Sequence, residues 1–169
     1  MKKLKSLYHF LSRKRQTLHL DYPVKFKPRF GHGVNKAKSA LYPIIDENRK
    51  EYASLLNLFN AYGTIFQRIK LFSDETDENQ PAWNNEFLPG LDIIALYALV
   101  AEFNPKKYIE VGSGNSTKVV RKAIVDNKLA TEITSIDPFP RANIDHLADN
   151  VLRLPVENMD DHSLFKELE

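Results

Sequence analysis

The residues best placed to do chemistry form one stretch, Glu110-Val111-Gly112-Ser113-Gly114-Asn115-Ser116-Thr117, with Asp137 lying 23 residues beyond Gly114. Two glycines one residue apart leave bare backbone on which a ligand can rest. A helix beginning just after them would aim free N–H groups and its positive dipole end at that ligand, which suits a carboxylate or a phosphate equally. Two residues separate these cases. The dinucleotide fingerprint asks for a third glycine at position 117, where this chain has Thr117. Glu110 would repel a diphosphate and attract a ligand with a positive centre and an amino group. Asp137 ends the next short apolar run, where a carboxylate can accept hydrogen bonds from both hydroxyls of a ribose.

The elements needed to position these residues can be read around them. Tyr108–Val111 reads as a strand, Gly112–Asn115 as a tight loop, and Asn115 or Ser116 as the cap of a helix running to about Lys128. Glu132–Ile136 reads as a second strand ending in Asp137-Pro138. A short helix over Ala142–Asp149, a third strand over Val151–Leu154 and a helix from Asp161 to Glu169 follow. Strands alternating with helices imply a parallel sheet, so the fold class is α/β.

Upstream, Asp46 reads as the N-cap of a helix with Tyr52, Leu55, Leu56, Phe59, Tyr62, Phe66 and Ile69 on one face. Gly63 within it allows close packing or a kink. Ser73–Gln80 is an acidic, solvated connection rather than a metal site. Leu91–Phe103 is a mostly apolar helix stopped by Asn104-Pro105. The first 20 residues have Leu4, Leu7, Tyr8 and Leu11 at helical spacing among lysines and arginines, and 21–45 reads as an extended, proline-bearing loop containing His32 between two glycines. The organisation expected is a basic arm and loop over 1–45, a helical region over 46–104, and a partial Rossmann-like domain over 105–169.

Composition sets further bounds. With 169 residues, 43% hydrophobic and 27% charged, the chain can build one ordinary core. It has no cysteine, which excludes disulfides, thiolate zinc sites and cysteine nucleophiles. No apolar run reaches the roughly 18 residues of a membrane span, and the start is too polar for a signal peptide; the expectation is a cytoplasmic protein. Of the 24 Lys and Arg residues, 11 lie in 1–38 against Asp21 alone, while the remaining 13 face 21 acids. This basic arm has three readings: an anionic surface, its own domain, or a second copy of the chain in a homo-oligomer. Nucleic acid is not expected, because the aromatics Tyr22, Phe26 and Phe30 are sparse and fall among prolines.

Tyr108–Thr117 together with Ser135-Ile136-Asp137 resembles the first two motifs of the class I S-adenosylmethionine-dependent methyltransferases, and Trp83–Asp92 looks like the segment that leads into this domain in some bacterial members. The resemblance covers 81–169 well and 1–80 loosely. It implies a Rossmann-like methyltransferase fold, here cut off after about three strands, with S-adenosylmethionine as cofactor. Glu110, Gly112, Ser113, Gly114 and Asn115 would hold the methionine portion and Asp137 the ribose. Pro138 and Phe139 would flank the adenine, Phe139 equally fitting a core position. Glu157, in the loop after the third strand, would accept from the adenine amino group or else be simply exposed. The implied activity is methyl transfer to a hydroxyl or amine of a small molecule. A non-catalytic binding module or truncated remnant is the alternative, and a nicotinamide-dependent oxidoreductase fits less well. None of His9, His19, His32, His146 and His162 is spaced as a base, so no catalytic residue and no metal ligand is assigned.

Overall fold

The structure, a computed structural model, describes Leu11, residues 41–140 and residues 144–166. Apart from Leu11, the basic arm, the 21–40 loop with His32, and the histidines at 9 and 19 lie outside the described residues. The chain divides into two compact units, Met1–Arg49 and Lys50–Glu169. In the first, helix α1 (Leu41–Glu47) is closed by a turn in which Asn48 Nδ2 donates to the Ile44 carbonyl, and Arg49 pairs with Asp46 at 2.5 Å. Asp46 is therefore inside a helix and does not cap one.

The single helix expected over 46–69 is instead three. After α1 come α2 (Arg49–Asn60) and α3 (Gly63–Phe66), with the chain turning between Asn60 and Gly63. Phe59, Phe66 and Ile69 are buried, whereas Tyr52 and Leu56 remain exposed. Gly63 serves the turn rather than close packing, since a Cβ there would touch nothing within 4 Å.

Helix α4 (Gly90–Phe103) ends where expected, with Asn104 in the left-handed conformation at φ 42°. It lies against α5 (Asn115–Asn127), and Ile93, Tyr97, Ala98 and Val100 of the one meet Val119, Val120, Ala123 and Ile124 of the other in a common core. Fully buried Tyr97 meets Tyr62 and Phe66 edge-on at 5.7 and 5.5 Å. Its hydroxyl donates to Asp126 Oδ2 at 3.0 Å and accepts from Asn127 Nδ2 at 3.1 Å, so its polar end is satisfied. Residues 50–169 form one compact unit, within which α4 and α5 share that core.

Strands β1 (Lys107–Val111), β2 (Glu132–Ile136) and β3 (Asn150–Leu152) form a parallel sheet in the order β1-β2-β3. Register places Tyr108 opposite Ile133 and Glu110 opposite Ser135. Alternation along a strand puts these four on one face. Ile133 belongs to the helical core, so this is the face the helices cover. The short helix expected before β3 is, among the described residues, a 3-10 turn over Asp145–Leu147. Asp149 pins it to the sheet: its Oδ2 accepts from the Ile133 N–H at 2.7 Å and from Arg121 at 2.8 Å. A second 3-10 turn (Val156–Asn158) and helix α6 (Ser163–Lys166) follow. Among the described residues, no helix is long and apolar enough to cross a membrane, and no group of three or more His, Cys, Asp or Glu could hold a metal ion.

Candidate functional site

Between β1 and α5 the chain reverses in three residues. Gly112 takes φ 86°, a conformation L side chains rarely adopt, and its N–H donates to the Ile136 carbonyl at 2.8 Å. Gly114 precedes the first helical residue, so neither Asn115 nor Ser116 is the cap. The capping contact comes from inside the helix, where Thr117 Oγ1 accepts the Gly114 N–H at 3.0 Å.

Glu110 lies beneath this loop. Only 7% exposed, it would be costly unless satisfied. Its Oε1 accepts from Thr117 Oγ1 at 2.5 Å and Ser135 Oγ at 2.6 Å, and its Oε2 from Ser116 Oγ at 2.9 Å, with Tyr108 Oη at 3.5 Å. Burial, then the neighbouring Glu110 charge, pushes the Tyr108 hydroxyl up, which keeps it a neutral donor. One carboxylate therefore ties β1, β2 and the first turn of α5 together.

Asp137, just past β2, has a different set of partners. Its Oδ2 accepts from the Ser113 N–H at 2.8 Å and Ser113 Oγ at 3.1 Å, and its Oδ1 from the Phe139 N–H at 2.9 Å. Burial alone would raise its carboxyl, but the Ser113 and Phe139 N–H groups, the Ser113 hydroxyl and the Arg153 charge outweigh this and hold it below the usual carboxylate range. Arg153 also donates to the Asp137 carbonyl at 2.8 Å and pairs with Asp145.

These parts border one cavity of about 490 Å³. The loop Gly112–Ser116 lines it, together with Asp137 and Phe139, Phe87 and Leu88 of the segment before α4, and Val111 and Lys118. Of the residues expected at a ligand, Gly112, Ser113, Gly114, Asn115 and Asp137 come together here. Glu110, Pro138 and Glu157 are not among the lining residues. Glu110 acts from below through the loop, and Glu157 is exposed in the turn after β3. Phe139 is 87% exposed and borders the cavity, so of its two readings the core position does not hold. His146 contacts Asn79 Oδ1 at 2.7 Å, away from the cavity.

Sequence reasoning missed Lys118, Arg153 and Asn85. Lys118 is half-buried one turn into α5, three residues after Asn115 and so on the same helical face. That spacing was the available signal. Buried Asn85 organises the strap 81–89. Its Oδ1 accepts the N–H groups of Phe87 and Leu88 at 3.1 and 2.7 Å, and its Nδ2 donates to the carbonyls of Ala82 and Leu88 at 2.7 and 3.1 Å. Asn115 Nδ2 donates to the same Oδ1 at 3.1 Å, joining strap to loop.

No protein-family model matches the chain, and no solved structure matches it. A curated relative, an uncharacterized protein of Archaeoglobus fulgidus, is 26% identical over 136 residues, which cover 74% of this chain and 58% of the relative.

Proposed function

We propose that this chain binds S-adenosylmethionine through Gly112–Asn115 and Asp137 and forms the cofactor-binding part of a methyltransferase acting on a small-molecule hydroxyl or amine. The observation that carries this reading is that Asp137 and the glycine loop, 24 residues apart at Ser113, border one cavity and are hydrogen-bonded to each other. Its volume lies within the range of small-ligand sites.

The lining residues fit the two ends of that ligand. The start of α5 and the Lys118 ammonium suit its carboxylate. Asp137, kept ionised, suits the ribose hydroxyls. Phe139 offers an apolar face beside Asp137 for the base. A dinucleotide fits less well, because Thr117 is fully buried and its hydroxyl bonds Glu110, so the space a third glycine would open is filled.

When bound, S-adenosylmethionine supplies a methyl group on a sulfonium, whose loss to an acceptor leaves a neutral thioether and releases a proton from the acceptor. The chain's own residues orient the donor: Glu110 holds the loop, the loop holds the amino-acid end, and Asp137 holds the sugar.

The test is calorimetric titration of S-adenosylhomocysteine into the chain, beside Gly112→Val and Asp137→Ala. Saturable binding lost in both variants is the expected result. A folded chain that binds NAD and not S-adenosylhomocysteine would overturn the reading.

A further inference from the structure

The loop at the cavity has spent its backbone donors within the fold. The Gly112 N–H donates to the Ile136 carbonyl, the Ser113 N–H to Asp137 and the Gly114 N–H to Thr117 Oγ1. A loop that cradles a diphosphate keeps such N–H groups for the anion. The serine hydroxyls are committed in the same sense. Each hydroxyl has one proton, and a carboxylate only accepts. Ser113 Oγ therefore donates to Asp137 Oδ2 at 3.1 Å and Ser116 Oγ to Glu110 Oε2 at 2.9 Å. Both serines border the cavity, and what each hydroxyl retains is its lone pairs.

Asn115, also at the cavity, is oriented by a residue outside it. Asn85 Oδ1 accepts the N–H groups of Phe87 and Leu88, and its Nδ2 donates to the carbonyls of Ala82 and Leu88. Exchanging oxygen and nitrogen in that amide would set like groups against each other in all four contacts, so its orientation is fixed. The Asn115 atom 3.1 Å from Asn85 Oδ1 is then Nδ2, and Asn115 Oδ1 accepts from no group among the described residues. Lys118, three residues on and so on the same helical face, borders the same cavity and has no ion pair or side-chain hydrogen bond among the described residues. Within one helical turn the cavity thus has two side-chain acceptors, one of them backed by the Glu110 carboxylate, and an unpaired cation. That set complements an α-amino acid, whose three-donor ammonium and whose carboxylate share one carbon.

We propose that Asn115 and Ser116 recognise the ammonium group of the cofactor's amino-acid end, and that Asn85 and Glu110 are positioning residues that keep them as acceptors. This rests on the cofactor reading above. Glu110 then acts on the ligand through Ser116 without itself lining the cavity. With the carboxylate of the same end on Lys118, the site selects the intact amino acid over the nucleoside alone.

The experiment is titration of S-adenosylhomocysteine, and of its analogue in which hydrogen replaces the α-amino group, into the chain and into Asn115→Leu, Ser116→Ala, Ser116→Thr and Lys118→Met, with circular dichroism to confirm folding. The native chain should bind the amine-bearing ligand about tenfold more tightly. Asn115→Leu and Ser116→Ala should each cut that ratio about threefold and leave the analogue's affinity nearly unchanged, whereas a merely structural role would weaken both ligands alike. Ser116→Thr should keep the native ratio, and Lys118→Met should weaken both ligands equally, since both carry the carboxylate. Equal binding of the two ligands by the native chain, or a native ratio that survives both Asn115→Leu and Ser116→Ala, overturns the ammonium recognition while the cofactor reading stands. Binding of neither ligand by the native chain overturns both.

Discussion

Glu110 and Asp137 stand near the carboxyl ends of neighbouring parallel strands and differ by one methylene, yet their surroundings are opposite. Glu110 is opposite Ser135 in the register, on the face the helices cover, and three hydroxyls within 3 Å satisfy it internally. Asp137 lies beyond the last paired residue of β2, where the sheet ends and the cavity begins. Position relative to the sheet's end, rather than charge, buries one acid within the fold and sets the other at the cavity. The burial of Glu110 is tolerated because each of its oxygens accepts a hydrogen bond.

Substitution should separate the two acids most sharply in stability. Glu110→Ala leaves Thr117, Ser116 and Ser135 without their acceptor and should cost about 3 kcal/mol in urea unfolding, enough to remove the loop. Asp137→Ala should change unfolding by about 1 kcal/mol or less but weaken S-adenosylhomocysteine about a hundredfold, since two charge-assisted hydrogen bonds to the ribose are lost. Equal losses of stability in the two variants would break the comparison.

The glycines extend the contrast on a smaller scale. Gly112→Ala should destabilise by about 1 kcal/mol: the added Cβ meets nothing within 4 Å, so the cost comes from φ 86° alone. Gly114 has an extended φ of 172° and equally open surroundings, so Gly114→Ala should leave unfolding within a few tenths of a kcal/mol. Any loss of affinity there measures the ligand's approach to the backbone. A large loss of stability for Gly114→Ala in thermal melts would show that the loop is held more tightly than its open surroundings imply.

The smallest effect expected is with pH. Asp137 has a lowered folded value, so its contribution is fully present above the ordinary carboxylate value and fades as pH falls through its own lower one. Asp149 behaves likewise: burial opposes its ionisation, but the Ile133 N–H and Arg121 more than offset it. Ligand affinity should therefore be flat from about pH 8 to pH 5 and fall only below about pH 4. A midpoint near pH 6 would mean that a histidine, not Asp137, controls the site.

Legibility followed the range of the interactions. Glu132–Ile136 was readable to the residue because a short β-branched run bounded by polar residues has one reading. The stop at Asn104 was readable from Asn104-Pro105. The helix over 46–69 was misread because one apolar spacing runs through two breaks, at Asn48 and between Asn60 and Gly63, and periodicity does not register a turn that preserves it. Phe139 could not be placed from sequence, since an aromatic after a strand fits a core and a cavity rim alike. Asn85 was missed for a related reason: the strap's polar bonds are local, but its link to Asn115 crosses 30 residues.

The sequence by itself determined the α/β alternation from Lys107 onward, the backbone freedom at Gly112 and the presence of two acids near successive strand ends. These are matters of residue type and spacing over a few positions. The tertiary structure alone decided that Glu110 is buried on the hydroxyls of Ser116, Thr117 and Ser135 while Asp137 borders the cavity, that Phe139 and Phe87 stand at the cavity, and that Lys118 joins them. Those outcomes depend on which strand pairs with which and in what register. A shift of one residue in that pairing would exchange every side chain between the covered face and the open one.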